Sequence, residues 1–281
     1  MRWCRYHHDG TVAFGLLDGQ NVEEVDGSPF DGYTVTGVRR RLAEIRLLTP
    51  CMPPTFYCAG LNYKAHIEWG EQRRNIRIPI PGRPDISYRA QSALTPPDRP
   101  IVIPARSSGE VHYEGELVAV IGRTARRVTQ DEALDYVLGY TIGNDVSERT
   151  WATQDRTLWR AKNSDTFKPM GPWIQTNLDP TNLDVIVKVN DTIVSEFNTS
   201  SMIFSVAEYI SAISEYITLR PGDVIWTGTD NATGRIAPGD VVEISVDGIG
   251  TLRNPVIGEP ERNRFGQSGL ISDSGNRVQG R

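Results

Sequence analysis

Apolar residues in the first 50 positions fall in short runs, such as TVAFGLL (11–17), between the dipeptides Asp9-Gly10, Asp18-Gly19, Asp26-Gly27 and Asp31-Gly32. Asp-Gly pairs accept the positive φ of tight hairpin turns, so runs of this length between them predict antiparallel strands. Residues 1–50 therefore read as a small β-rich N-terminal domain. LTPCMPP (48–54), with its three prolines, reads as a linker.

A different pattern begins at Thr55. TFYCAGLNY runs from an apolar strand into a polar turn, and residues 63–71 are compatible with a short helix. Strands are predicted at IVIP (101–104), ELVAVIG (116–122) and YVLGYTIGND (136–145), and again at PWIQT, DVIVKVN, DVIWTGT and DVVEISVDGIG. DEALDYVLG reads as the beginning of a helix near Asp131. The clearest helical period is SVAEYISAISEYITL (205–219), which places Val206, Ile210, Ile213 and Ile217 on one stripe. Residues 72–100 are rich in Arg, Pro and Gly without a period, and 72–95 is expected to act as a lid. Residues 256–281 turn to Gly, Ser, Asn, Arg and Glu and read as a mobile C-terminal tail. The sum is a mostly β chain with some α, of α+β class, whose main domain spans 55–255.

Composition narrows the function. A hydrophobic share of 38 % is enough to bury a sizeable core. The net charge of −5 leaves no basic stripe for nucleic acid, so an anionic ligand would need Arg and Lys gathered locally. Three cysteines, Cys4, Cys51 and Cys58, with no C-x-x-C pair, argue against a disulfide framework or a structural zinc site. The polar start MRWCRYHHDG is unlike a signal peptide, and no apolar run approaches the ~18 residues of a membrane span. A cytoplasmic location with no membrane partner is the expectation.

Candidate chemistry centres on HYEGELVAVIG (112–122). Glu114 and Glu116 stand two apart in a predicted strand, so both carboxylates project from one face. Adjacent carboxylates repel unless a cation lies between them, and oxygen ligands suit Mg²⁺, Mn²⁺ or Ca²⁺ better than zinc. Alone, this spacing also fits a solvated strand face. Asp145 adds a third acid where an apolar strand meets a loop.

Taken in order, GLNYKAHIE (60–68), HYEGELVAVIG (112–122), TIGNDVSER (141–149), RAKNSDTFKPMGP (160–172) and WTGT (226–229) resemble the fumarylacetoacetate hydrolase family over roughly residues 55–255. The resemblance implies a mixed β-roll with a small N-terminal cap domain, commonly assembled as a homodimer. It implies that Glu114, Glu116 and Asp145 hold one Mg²⁺ or Mn²⁺ ion. His66 matches the histidine that acts as general base, Lys162 a lysine beside metal and substrate, and Thr229 a threonine that contacts the substrate carboxylate. Tyr63 and Arg89 are expected to contact substrate as well, and Asp165 of the D-T-F motif to have a structural role.

Three positions depart from the family's pattern. Hydrolytic relatives often carry H-x-x-E, and Trp69 stands where that glutamate would pair with His66. Glu68 and Glu71 are the nearby substitutes, although one position along a helix rotates a side chain by ~100°. Arg89 replaces a frequent lid lysine, and T-G-T is followed by Asp230 where proline is usual. The expected activity is hydrolysis of a C–C bond in a small anionic 2,4-dioxo acid. The alternatives are isomerisation, tautomerisation or decarboxylation of a 2-oxo diacid, and a catalytically silent binding protein that retains the pocket.

Overall fold

The computed structural model describes residues 1–260. Four antiparallel strands, Arg2–His8, Thr11–Asp18, Asn21–Ser28 and Gly32–Arg41, form the expected N-terminal meander. Its turns use positive φ at Asp9, Gly10 and Gly19. The meander is not a separate sheet. Arg2 and Trp3 pair with Gln175 and Ile174, which joins it to the main twelve-stranded sheet.

From that junction the sheet runs through Lys168–Gln175, Val137–Asn144, Gly115–Ile121, Val224–Trp226, Phe56–Ala59 and Ile86–Tyr88. A second sheet of five strands contains Thr192–Asn198, Asp184–Val189, Val241–Val246, Gly250–Gly258 and Ile101–Ile103. Strand Gly115–Ile121 shows why the sequence there is a continuous apolar run: it is buried on both faces. Leu117, Ala119 and Ile121 pack into the core that includes Val185, Val187 and Ile244 of the second sheet. Val118 and Val120 point the other way, onto Trp226, Met170, Ile174 and Phe56.

Two helices are eleven residues long. Val206–Tyr216 starts with a capping box between Ser205 and Glu208 and buries Val206, Ile210 and Ile213 as expected. Ile217 falls outside it, in extended conformation and 40 % exposed, so the apolar stripe ends one turn earlier than the spacing predicts. Helix Lys64–Arg74 ends on Asn75 in left-handed conformation and carries His66, Trp69 and Arg73 along one side, at i, i+3 and i+7.

Two boundaries shift. Of the expected lid, residues 86–88 form a strand paired with Phe56–Ala59, and 91–93 a 3₁₀ turn, leaving 75–85 as the irregular stretch. The tail expected from residue 256 does not begin there, because strand Gly250–Gly258 pairs Val256–Gly258 with Ile101–Ile103 and buries Val256. Residues 261–281 of that tail lie outside the described residues.

Gly143 pairs with Glu116 across the central strands. A Cβ there would lie 2.6–2.7 Å from three carbons of the Trp226 ring. Gly143→Ala is expected to destabilise the fold by about 1–3 kcal/mol through overpacking, read as a lowered urea midpoint. Trp226→Phe in the same background should recover part of that loss.

Candidate active site

Strand pairing assembles the acids. Gly115 lies opposite Asn144 and Glu116 opposite Gly143, so the next rung brings Glu114 and Asp145 together at the sheet's end. The Asp145 N–H donates to the Glu114 carbonyl at 2.9 Å, and the Glu114 N–H to the Asn144 side chain at 2.9 Å. All three carboxylates are buried, at 4 %, 1 % and 1 % exposure for Glu114, Glu116 and Asp145. With His66, Trp69, Lys162 and Thr229 they line one cavity of about 330 Å³.

Buried carboxylates survive only with compensation. Asp145 receives both forks of Arg89, Nε at 3.0 Å and Nη2 at 2.9 Å, together with Lys162 Nζ at 2.5 Å and Lys168 Nζ at 2.8 Å. Burial pushes its pKa up, but Arg89, Lys162 and Lys168 more than reverse this and hold it well below the ordinary value. Glu114 takes Lys162 at 2.7 Å and Arg149 at 2.6 Å, which against burial bring it down to about 2. Lys168 completes its donors on the Val146 and Phe167 carbonyls, and burial lowers its pKa to about 8.

Glu116 differs. Among the described residues no side-chain cation pairs with it; the Gly228 N–H, 2.8 Å away, is its hydrogen-bond donor. Gly228 sits at φ +90°, a conformation glycine adopts without a Cβ penalty. Burial, then Asp145 and Glu114, push the Glu116 pKa well above its ordinary value. A dry carboxylate facing two others is an electrostatic liability that a bound cation removes. Ligand atoms of Glu116, Asp145 and Cys58 lie within 4.8 Å of one another. The Cys58 thiol approaches Asp145 at 3.7 Å, and burial, followed by weaker charge effects, raises its pKa, so it stays protonated. Carboxylate oxygens thus dominate the donor set, and they fit Mg²⁺ or Mn²⁺.

His66 lies on the cavity wall, half-buried, with Nδ1 2.9 Å from the Asn231 carbonyl. Trp69 stacks on it at 5.1 Å between centroids and 30° between planes, and the Arg149 guanidinium lies 5.0 Å over the other ring. Burial lowers the His66 pKa; nearby Glu114 opposes this and Arg149 reinforces it.

Several expectations change. Glu68 is exposed, and Glu71 Oε1 accepts from the Ile78 N–H at 2.7 Å, so neither glutamate serves His66. The sequence register leaves one outside the site and the helix end consumes the other. Tyr63 is fully buried against Phe197 and does not line the cavity, so it does not reach a substrate there. Arg89 does line the cavity, but its donors are spent on Asp145, Ser87 and the Tyr88 carbonyl; it holds an acid in place. Asp165 faces solvent. Arg149, Lys168 and Cys58 were not anticipated, although the first two sit inside motifs already singled out, TIGNDVSER and RAKNSDTFKPMGP. An arginine or lysine next to a strand of buried acids was the available signal.

The chain matches the Fumarylacetoacetate (FAA) hydrolase C-terminal family over residues 55–257 and the Rv2993c-like, N-terminal family over 1–50. It is 39 % identical over 296 residues to a 2,4-didehydro-3-deoxy-L-rhamnonate hydrolase of Sphingomonas sp., covering 91 % of this chain and 96 % of that one. The crystal structure of a 5-carboxymethyl-2-hydroxymuconate delta-isomerase from Mycobacterium smegmatis superposes with a TM-score of 0.83 at 39 % identity, covering 92 % of this chain and 100 % of the other. A maleylpyruvate hydrolase from Sphingobium sp. SYK-6, in complex with manganese(II) and pyruvate, gives a TM-score of 0.76 at 28 % identity over the same shares. Among the described residues no helix is long and apolar enough to cross a membrane.

Because the folded state raises the Glu116 pKa, its ionised form costs stability at neutral pH, and the cost vanishes as pH falls to the ordinary value of 4.5. Glu116→Gln is therefore expected to raise the melting temperature of EDTA-treated protein at neutral pH. The gain should shrink on acidification, as read by calorimetry across that range.

Proposed function

The chain belongs to the fumarylacetoacetate hydrolase family, and from that membership we propose that it is a divalent-metal-dependent enzyme hydrolysing a C–C bond of a small anionic 2,4-dioxo acid. The observation that carries the reading is a neutral, oriented imidazole, His66, on the wall of a cavity that also holds three buried acids. Relatives with a hydrolase name, one of them bound to manganese and pyruvate, support it.

In this reading Glu116 and Asp145, whose ligand atoms cluster with that of Cys58, hold one Mg²⁺ or Mn²⁺ ion together with Glu114, which the strand register sets beside Asp145. When bound, the ion supplies Lewis acidity toward the oxygens of a 2-oxo acid. Charge arithmetic favours an anionic substrate: Arg89, Arg149, Lys162 and Lys168 already outnumber the three carboxylates by one. Lys162, touching both Glu114 and Asp145, keeps a positive charge beside the reacting end. Thr229, on the same wall, offers a hydroxyl to the substrate carboxylate.

His66 performs the proton chemistry. Its Nε2 takes a proton from water as the oxygen attacks the distal carbonyl. The C–C bond between that carbon and the pyruvyl methylene then breaks. The electron pair passes to the pyruvyl fragment, which takes a proton at carbon, and the other fragment leaves as a carboxylic acid. A base whose pKa is lowered by burial is fully available at neutral pH.

A second reading has an observation of its own. Neither Glu68 nor Glu71 reaches His66, so water activation lacks a carboxylate's support. Moving a proton at the carbon next to the 2-oxo group demands less of the base, and isomerisation or tautomerisation of a 2-oxo diacid fits the same residues. The isomerase name of a close structural relative points the same way.

His66→Asn is expected to lower kcat on acylpyruvates with Mn²⁺ by about 10²–10⁴-fold, measured in steady state. Because burial lowers the His66 pKa, the acid limb of kcat/KM should fall below the ordinary 6.5. Activity is then retained in mildly acidic buffer and lost only on further protonation. Glu116→Gln should weaken Mn²⁺ binding by at least about tenfold, some 1.4 kcal/mol, by titration calorimetry, while Asp165→Asn leaves it unchanged.

A further inference from the structure

We propose that Asn231 is a positioning residue: its main-chain carbonyl holds the His66 imidazole in the tautomer that leaves Nε2 free to accept a proton. The proposal rests on His66 being the base of the preceding reading. It replaces the histidine–carboxylate pair expected from the position that Trp69 fills.

A carbonyl oxygen carries no proton and can only accept. The 2.9 Å contact to Nδ1 therefore requires Nδ1–H, and the lone pair falls on Nε2. Imidazole free in water favours the opposite tautomer, so the contact selects a form that solution chemistry does not.

The carbonyl's aim depends on local backbone. Asn231 adopts φ +60°, a left-handed conformation that asparagine tolerates better than most side chains. Its N–H donates to Asp230 Oδ1 at 2.8 Å, and its side-chain Nδ2 donates to the Glu196 carbonyl at 2.8 Å, tying the loop to strand Thr192–Asn198. Trp69 completes the clamp by stacking on the ring, and Arg149, which also holds Glu114, backs the indole. Two departures from the family's pattern, at Trp69 and at Asp230, thus meet at one histidine. The indole occupies the place of a carboxylate, and the Asp230 side chain caps the N–H of the residue whose carbonyl takes over.

The test is a long-range ¹H–¹⁵N spectrum of the full-length, Mg²⁺-loaded protein labelled at its four histidines, with His66 assigned by its loss in His66→Gln. The wild type is expected to show His66 as the Nδ1–H tautomer. Asn231→Val, whose branched side chain resists the left-handed region, should move His66 toward the Nε2–H form. It should also lower kcat on an acylpyruvate by about tenfold or more, with KM within about twofold, as expected for impaired general base catalysis. Asn231→Gly, which keeps the conformation, should retain the wild-type tautomer and most of kcat. An Nε2–H tautomer in the wild type would overturn the proposal even if Asn231→Val fails to fold. So would an unchanged tautomer in folded Asn231→Val. The expected tautomer change in a protein that turns over no 2-oxo acid would sink the proposed function and leave the positioning role standing.

Discussion

Asp145 is a buried carboxylate held by three cations, and the geometry of the site depends on that arrangement. Arg89, Lys162 and Lys168 converge on it, the last two from a helix and a strand that follow each other in the chain. Removing an ionised group from water costs several kcal/mol unless its charge and lone pairs are met on the spot, and here both are. Lys162 then ties Asp145 to Glu114, and Arg149 ties Glu114 to the Trp69–His66 stack. A chain of ion pairs, a cation–π contact and a ring stack therefore runs from the sheet's end to the proposed base. The ion-pair links are short, 2.5–2.9 Å, because their charges meet where water is excluded.

Glu116 is the exception that gives the site a use. It is the one acid of the three whose neighbours repel it, and the fold tolerates that cost. Strain concentrated on one dry carboxylate while the others are neutralised is how a cation site is kept ready. The cations around the site pair with Asp145 and Glu114 and leave Glu116 without a side-chain partner among the described residues.

The base is organised by different means. Backbone carbonyl, stacked indole and a guanidinium behind it define the ring's plane and tautomer without adding a negative charge next to His66. A carboxylate partner would stabilise the imidazolium more, whereas a neutral acceptor leaves the base closer to its intrinsic strength. This balance suits both proton transfer at carbon and activation of water.

Much of this was legible in the linear order of residues. Hairpin dipeptides marked the N-terminal meander, and an unbroken apolar run marked a strand buried on both faces, since such patterns follow from local turn chemistry and side-chain period. Glu114 and Glu116 were legible as a same-face pair, because a two-residue step in a strand repeats the face, whereas Asp145 joined them through the ordered motifs that resemble the family. Partnership was not legible. That Arg89 would spend its donors on Asp145, that Lys168 would be buried beside it, and that Tyr63 would turn into the core depend on segments far apart in the chain meeting in space. Glu68 and Glu71 looked like substitutes for a missing carboxylate because proximity along the chain was the available guide. The helix sent one to solvent and the other to its own C-terminal loop, and the acceptor at His66 came from residue 231 instead. A backbone carbonyl belongs to every residue alike and leaves no trace in the identity of the amino acid, so its role exists only once the fold has aimed it.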